Sequence, residues 1–284
     1  MAIKVTTRLD INNGKNPNLL TPPIMKQVVE SSEYLKLRLS LLEKEKAHTR
    51  QRDELTKLRQ ALPAIEITKP YRFQSVDPSG TTKEVSLEDL FDGRPQLIIY
   101  HFMFEPDRDA GCPSCTLMGD HIPPLEHLKS HNTSFAAVSR APIDKIEAYK
   151  KRLGFTFPWV SSYGTDFNFD FNVSTDPEVK PVQYNFLSED ELKDRKMLHF
   201  TRGEQPGTSV FVKGGLGIGE EGKIYHTYST YARGGEAQIG TLLWLDMTPL
   251  GRQDGANGIG GLGYKRRDEY DDSDLQATGG VRFT

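Results

Sequence analysis

Cysteine is nearly missing from this chain: Cys112 and Cys115 are the only two among 284 residues. A structural zinc site would need two further Cys or His ligands at motif spacing, and no second pair exists. Long apolar runs are missing too. No segment could span a bilayer, and the start, Met1 to Asp10, has no long apolar core of the kind a signal peptide needs. A soluble, cytoplasmic protein without a membrane partner is expected. Nor is there a surplus of positive charge: 36 Lys and Arg stand against 39 Asp and Glu, a net charge of -3 that argues against a general nucleic-acid binder. Two glycine-rich stretches, Gly214 to Gly219 and Gly258 to Gly263, lack the frame of a dinucleotide fingerprint, so both are expected to be turns and no NAD or FAD site is predicted.

What is present concentrates on the two thiols. They form Cys112-Pro113-Ser114-Cys115, directly after the apolar run Leu97 to Phe104. A Cys-x-x-Cys between strand and helix in a reducing compartment reads as a redox pair rather than a structural staple. If Cys112 caps the following helix, unpaired backbone N–H groups and the helix dipole favour its thiolate, the nucleophile of disulfide exchange. Pro113 suits the first helical position, where no N–H is required and φ is already helical. Cys115 comes almost one turn later, within reach of a mixed disulfide at Cys112. The competing reading makes both cysteines small buried hydrophobes.

The chain divides into three parts. Residues 1–68 combine a polar leader, 1–22, with helical spacing of Val28, Leu35, Leu39, Leu42, Leu55, Leu58 and Leu62, read as two helices or one bent one. This amphipathic extension leaves room for a homodimer. Residues 69–250 hold the core: a strand at Tyr71 to Val76, a short helix from Val85 to Phe91 with Ser86 and Asp89 as a near capping box, and the buried strand 97–104. A helix at 116–130 kinked at Pro123-Pro124, a strand at 135–139 and a helix from Pro142 to Leu153 follow, which predicts a parallel βαβ unit. An insertion at 164–205 is expected over the active face, then a hairpin at 208–213 and 223–229 and a closing helix at 237–245. Residues 251–284 are a Gly-rich, charged C-terminal tail without a core-forming pattern.

This arrangement resembles the thioredoxin-like superfamily, α/β proteins with a three-layer fold in which helices flank a mixed central sheet and the Cys-x-x-Cys lies between a central strand and a helix. The resemblance implies a cis-proline beside the thiols, ahead of the later hairpin. Pro206 is the candidate, although Gly207 separates it from the strand residues. More closely, the chain is similar to the DUF899 family of predicted dithiol-disulfide oxidoreductases. The likeness runs through Tyr71-Arg72-Phe73, Leu90 to Arg94, Tyr100 to Phe104, Cys112 to Cys115, Phe135 to Pro142, Ala148 to Lys150, Phe157 to Tyr163, His226 to Gly234 and Leu245 to Arg252. It implies a thiol-disulfide oxidoreductase in which Cys112 attacks a protein or small-molecule disulfide, Cys115 releases it, Pro206 shapes the groove and an unknown reductant restores the dithiol. Peroxiredoxins are similar in the same region but place a Thr or Ser shortly before the reactive Cys. Pro106 to Gly111 supplies no hydroxyl, so peroxide reduction ranks below exchange.

Other residues carry weaker signals. His101, in mid-strand, is expected as a hydrogen-bonded core residue; the sharper alternative joins it to Cys112 and Cys115 in a copper or zinc site. His121 and His226 are the other nearby histidines. Asp120 is either an exposed helix residue or the acceptor of the Cys115 proton, Trp159 a core aromatic or a groove wall, and Arg233 a partner for an acidic residue. A third class of reading is a non-catalytic scaffold whose N-terminal helices recruit a partner.

Overall fold

The computed structural model describes residues 26–215, 217–252 and 264–275. The leader and the glycine stretch at 258–263 lie outside them. The first described element is α1 (Ser31–Gln60), a single helix where either two or one bent helix was expected, so the two-helix alternative falls; β1 (Ile65–Glu66), β2 (Arg72–Val76), β3 (Thr82–Ser86) and β4 (Gln96–His101) follow. Beyond the thiols come α2 (Pro113–Gly119), α3 (Leu125–Lys129), β5 (Thr133–Ser139), α4 (Ile143–Leu153) and β6 (Trp159–Ser161). The insertion supplies α5 (Phe167–Asp170), β7 (Ser174–Thr175), β8 (Gln183–Tyr184), β9 (Leu187–Ser188), α6 (Glu189–Asp194) and β10 (Gly203–Glu204). β11 (Gly207–Lys213), β12 (Ile224–Tyr231), α7 (Gly240–Asp246) and the short α8 (Asp272–Leu275) follow.

The central sheet has eight strands in the order β1-β12-β11-β4-β5-β6-β2-β3. β4, β5 and β6 run parallel, and β11 and β12 are antiparallel neighbours beyond β4. The run β5-β4-β11-β12, with the dithiol loop leaving the end of β4, is the mixed thioredoxin-like arrangement. Both faces of β4 are covered because its side chains alternate. Tyr100 joins Phe102, Cys115, Met118, Ile146, Tyr149 and Trp159 in a first core under α2 and α4. Leu97 and Ile99 join Phe73, Val138, Phe167, Phe171 and Phe211 in a second core.

Several expectations change. Val85 belongs to β3, paired with β2, and only Asp89–Phe91 turns helically; the Ser86 hydroxyl and amide still bond the Asp89 carboxylate, both at 2.7 Å. The kinked helix is two helices, since Pro123 and Pro124 interrupt the backbone ladder between α2 and α3. The insertion enters the interior: Phe167, Phe171, Val173, Val182, Tyr184 and Leu192 all belong to the second core. The tail also has a core contact, because Tyr264 packs against the first core.

Candidate dithiol site

Cys112 is the N-cap of α2, with φ -59° and ψ 136°, and Pro113 occupies the first turn. Its extended backbone leaves Thr116 to close the turn by donating its amide to the Cys112 carbonyl at 2.9 Å. The Thr116 hydroxyl donates to the same carbonyl, also at 2.9 Å. The Cys112 amide donates back to the Met103 carbonyl at 2.9 Å, which ties the loop to the extension of β4. Cys112 is half-buried, whereas Cys115, one turn on, is enclosed at 1% exposure.

The two sulfurs are electrostatically unequal. Hydrogen bonding from the Cys115 thiol, helped by the amides of Cys115 and Ser114, lowers Cys112 from its usual 9.0 to about 6 against the opposing effect of burial. Burial pushes Cys115 well up, and its hydrogen bond and charge interaction with Cys112 push the same way. Two donors oppose that rise: the Tyr100 hydroxyl and the Met103 amide, the latter 3.4 Å from the sulfur. These shifts favour a thiolate at the half-buried Cys112 and a thiol at the buried Cys115 near neutral pH.

Pro206 immediately precedes β11, whose first residue, Gly207, stands opposite His101 at the end of β4. Its carbonyl accepts from the Tyr184 hydroxyl at 2.8 Å, and that hydroxyl accepts from the Ala232 amide at 3.0 Å. No cis peptide occurs among the described residues, so the bond before Pro206 is trans, unlike the proline the superfamily resemblance implied.

The structure does not bring His101 to the thiols. Period-two alternation turns it away from Tyr100, between Phe167 and Phe171 at ring distances of 5.7 and 5.8 Å. There it shares a 2.8 Å hydrogen bond with Ser209, which continues through Ser229 to His226. Burial lowers His101 to about 3, so the ring is neutral. Among the described residues no three His, Cys, Asp or Glu side chains are placed to hold a metal. His121 binds Thr241 instead, Asp120 pairs with Arg267, Arg233 pairs with Glu236, and Trp159 is a core aromatic donating to Ser139 at 3.0 Å.

Three features were not foreseen. Tyr100 lies in the apolar run, and only the strand register reveals that its hydroxyl meets Cys115. Arg266 donates twice to the Gly111 carbonyl, at 2.8 and 2.6 Å, so the C-terminal segment grips the residue before Cys112. Beyond the ends of β4 and β5, the buried Glu204 carboxylate accepts from Arg140, Asn168 and Ser174 at 3.0, 3.0 and 2.7 Å. Burial nevertheless raises its pKa.

A family model described as "Bacterial protein of unknown function (DUF899)" matches residues 23–270. No curated protein matches the chain. Among solved structures, a cysteine-to-serine mutant of PrxQ from Xylella fastidiosa is 15% identical with a TM-score of 0.39, the match covering 64% of this chain and 95% of that one. The mitochondrial 2-Cys peroxiredoxin of Plasmodium falciparum is 14% identical with a TM-score of 0.39, over 66% of this chain and 97% of that one. The bacterioferritin comigratory protein of Xanthomonas campestris, described by its alkyl peroxide reduction activity, is 16% identical with a TM-score of 0.35, over 61% and 89%.

Proposed function

The chain belongs to the DUF899 family, whose description leaves its function open, and we propose that it is a cytoplasmic thiol-disulfide oxidoreductase working through Cys112 and Cys115. The observation that carries this reading is the division of labour between the sulfurs: a half-buried N-cap cysteine lowered to about 6 beside a buried partner held protonated.

The Cys112 thiolate attacks one sulfur of a substrate disulfide, forming a mixed disulfide and expelling the first substrate thiolate. That step removes the negative charge from Cys112, and with it the electrostatic repulsion that held the Cys115 proton. Burial still opposes ionisation, but Tyr100 and Met103 now act as donors to the forming Cys115 thiolate. Cys115 gives its proton to the departing thiolate or to water and attacks the Cys112 sulfur, expelling the second substrate thiolate. The dithiol loses two electrons, the substrate gains them, and a reductant restores the pair. Pro206, just ahead of β11 and fixed by Tyr184, would border the substrate groove.

The test is a redox titration in glutathione buffers, with alkylation and mass analysis. One reversible two-electron midpoint linking Cys112 to Cys115 supports the reading. Failure to form the intramolecular disulfide under any buffer sinks it.

A further inference from the structure

Helix α1 presents a surface that the other described residues leave open. None of its 30 residues is buried, although Leu37, Leu41, Leu55, Leu58 and Leu62, the last just past its end, are exposed by 59, 51, 51, 64 and 50%. Helices draw most of their stability from packing an apolar face rather than from propensity. The spacing says which face that is. Steps of four and three alternate without a break through Leu37, Leu41, Lys44, His48, Gln51, Leu55, Leu58 and Leu62, the 3.5-residue repeat of a coiled-coil seam.

The seam is also self-complementary. It is apolar at both ends and polar in the middle, and its members are arranged symmetrically about the bond between Thr49 and Arg50. A second copy laid antiparallel about a two-fold axis at that point sets Leu37 on the partner's Leu62 and Leu41 on the partner's Leu58. His48 then faces the partner's Gln51, and the Lys44 stem lies along the partner's Leu55 with its ammonium in water. On the flank, Glu45 comes beside the partner's Arg52, and the symmetry makes this contact twice. The two like charges that meet on the same flank are already engaged within each chain, Arg38 by Glu45 at 2.9 Å and Arg59 over the Tyr228 ring at 5.6 Å. A parallel pair would set Lys44 on its own copy and lose this match.

We propose that α1 is a dimerisation element, and that two copies of this chain pair antiparallel along the seam from Leu37 to Leu62. Leu35 and Leu39 lie off the seam, exposed by 56 and 52%, and serve as controls.

Sedimentation equilibrium of the full chain at low micromolar concentration tests this. The expected mass is twice the 32.0 kDa of the monomer. Leu41→Lys and Leu58→Glu, each alone, should weaken association on the order of 100-fold or more, while Leu39→Lys leaves it unchanged. Near-UV circular dichroism verifies the fold of each variant, which the absence of buried α1 residues should preserve. Mixing Leu41→Lys with Leu58→Glu chains should restore a dimer, because only the antiparallel register sets those positions together. A monomeric wild type, a dimer indifferent to both seam variants, or a mixture that stays monomeric overturns the proposal.

Discussion

The backbone amide of Met103 donates to the Cys115 sulfur across 3.4 Å, so the residue that extends β4 also supports the buried thiol. With the Cys112 amide on the Met103 carbonyl at 2.9 Å, one residue bonds the backbone of the first cysteine and the sulfur of the second. The inequality of the two thiols is thus built into backbone positions as well as side chains.

That inequality gives a pH profile. Only the thiolate reacts, and Cys112 at about 6 is already ionised at neutral pH, so its alkylation rate by iodoacetamide should rise through its own titration and level off above about pH 7. Cys115, pushed up by burial, should stay unmodified in the folded protein. Cys115→Ala removes the leading donor to Cys112, and the midpoint should move upward. A wild-type midpoint close to 9 would contradict the hydrogen-bonded thiolate.

The Glu204 cluster makes a second expectation with a definite sign. Its folded pKa is raised above 4.5 by burial, so the group adds stability below that value and loses it as pH rises through the folded pKa. Arg140 is its counter-charge at 3.0 Å. Arg140→Leu should therefore cost about 3 kcal/mol near neutral pH by leaving a buried carboxylate without its cation. The cost should shrink toward pH 4, where Glu204 is protonated in both states. Urea unfolding at the two pH values measures it, and an equal loss at both would rule out the ion pair as the cause.

Strain in the insertion supplies a third. Asn185 and Phe186 form the two-residue turn between β8 and β9 with φ of 49° and 63°, the combination a type I′ hairpin requires. Phe186 is 73% exposed, and its ring meets Tyr231 edge-on at 5.6 Å. A side chain there costs roughly 1 kcal/mol that glycine avoids. Phe186→Gly should raise stability by no more than about 0.5 kcal/mol once the entropy of the unfolded glycine is set against that relief. Thermal unfolding reads the shift; a clear loss would mean that the Tyr231 contact outweighs the strain.

Strongly local patterns were legible in advance. The apolar run of β4 and Pro113 at the first helical turn each carry their signal within a few residues, and the structure has a strand and a helix start there, with the strand ending at His101 rather than Phe104. Pairings set by distant neighbours were not. β3 has no buried residue and is defined by its pairing with β2, while Trp159–Ser161 is too short to show alternation before β5 pairs with it. The same limit hid the bond between Tyr100 and Cys115, because an apolar run does not announce which hydroxyl meets which sulfur. His101 is different: adjacent strand residues face opposite ways, so alternation alone argued against both Tyr100 and His101 reaching the thiols.

The hold of Arg266 on the Gly111 carbonyl joins residues 155 apart in sequence. A chain made from its N-terminus exposes both cysteines long before this clasp is synthesised. Until then the loop ahead of Cys112 lacks its guanidinium, and Asp120 at the far end of α2 lacks Arg267. The ribosome thus delivers the thiols well before the support of their loop, so a nascent chain, or one clipped between Cys115 and Arg266, carries the cysteines without the frame that holds them.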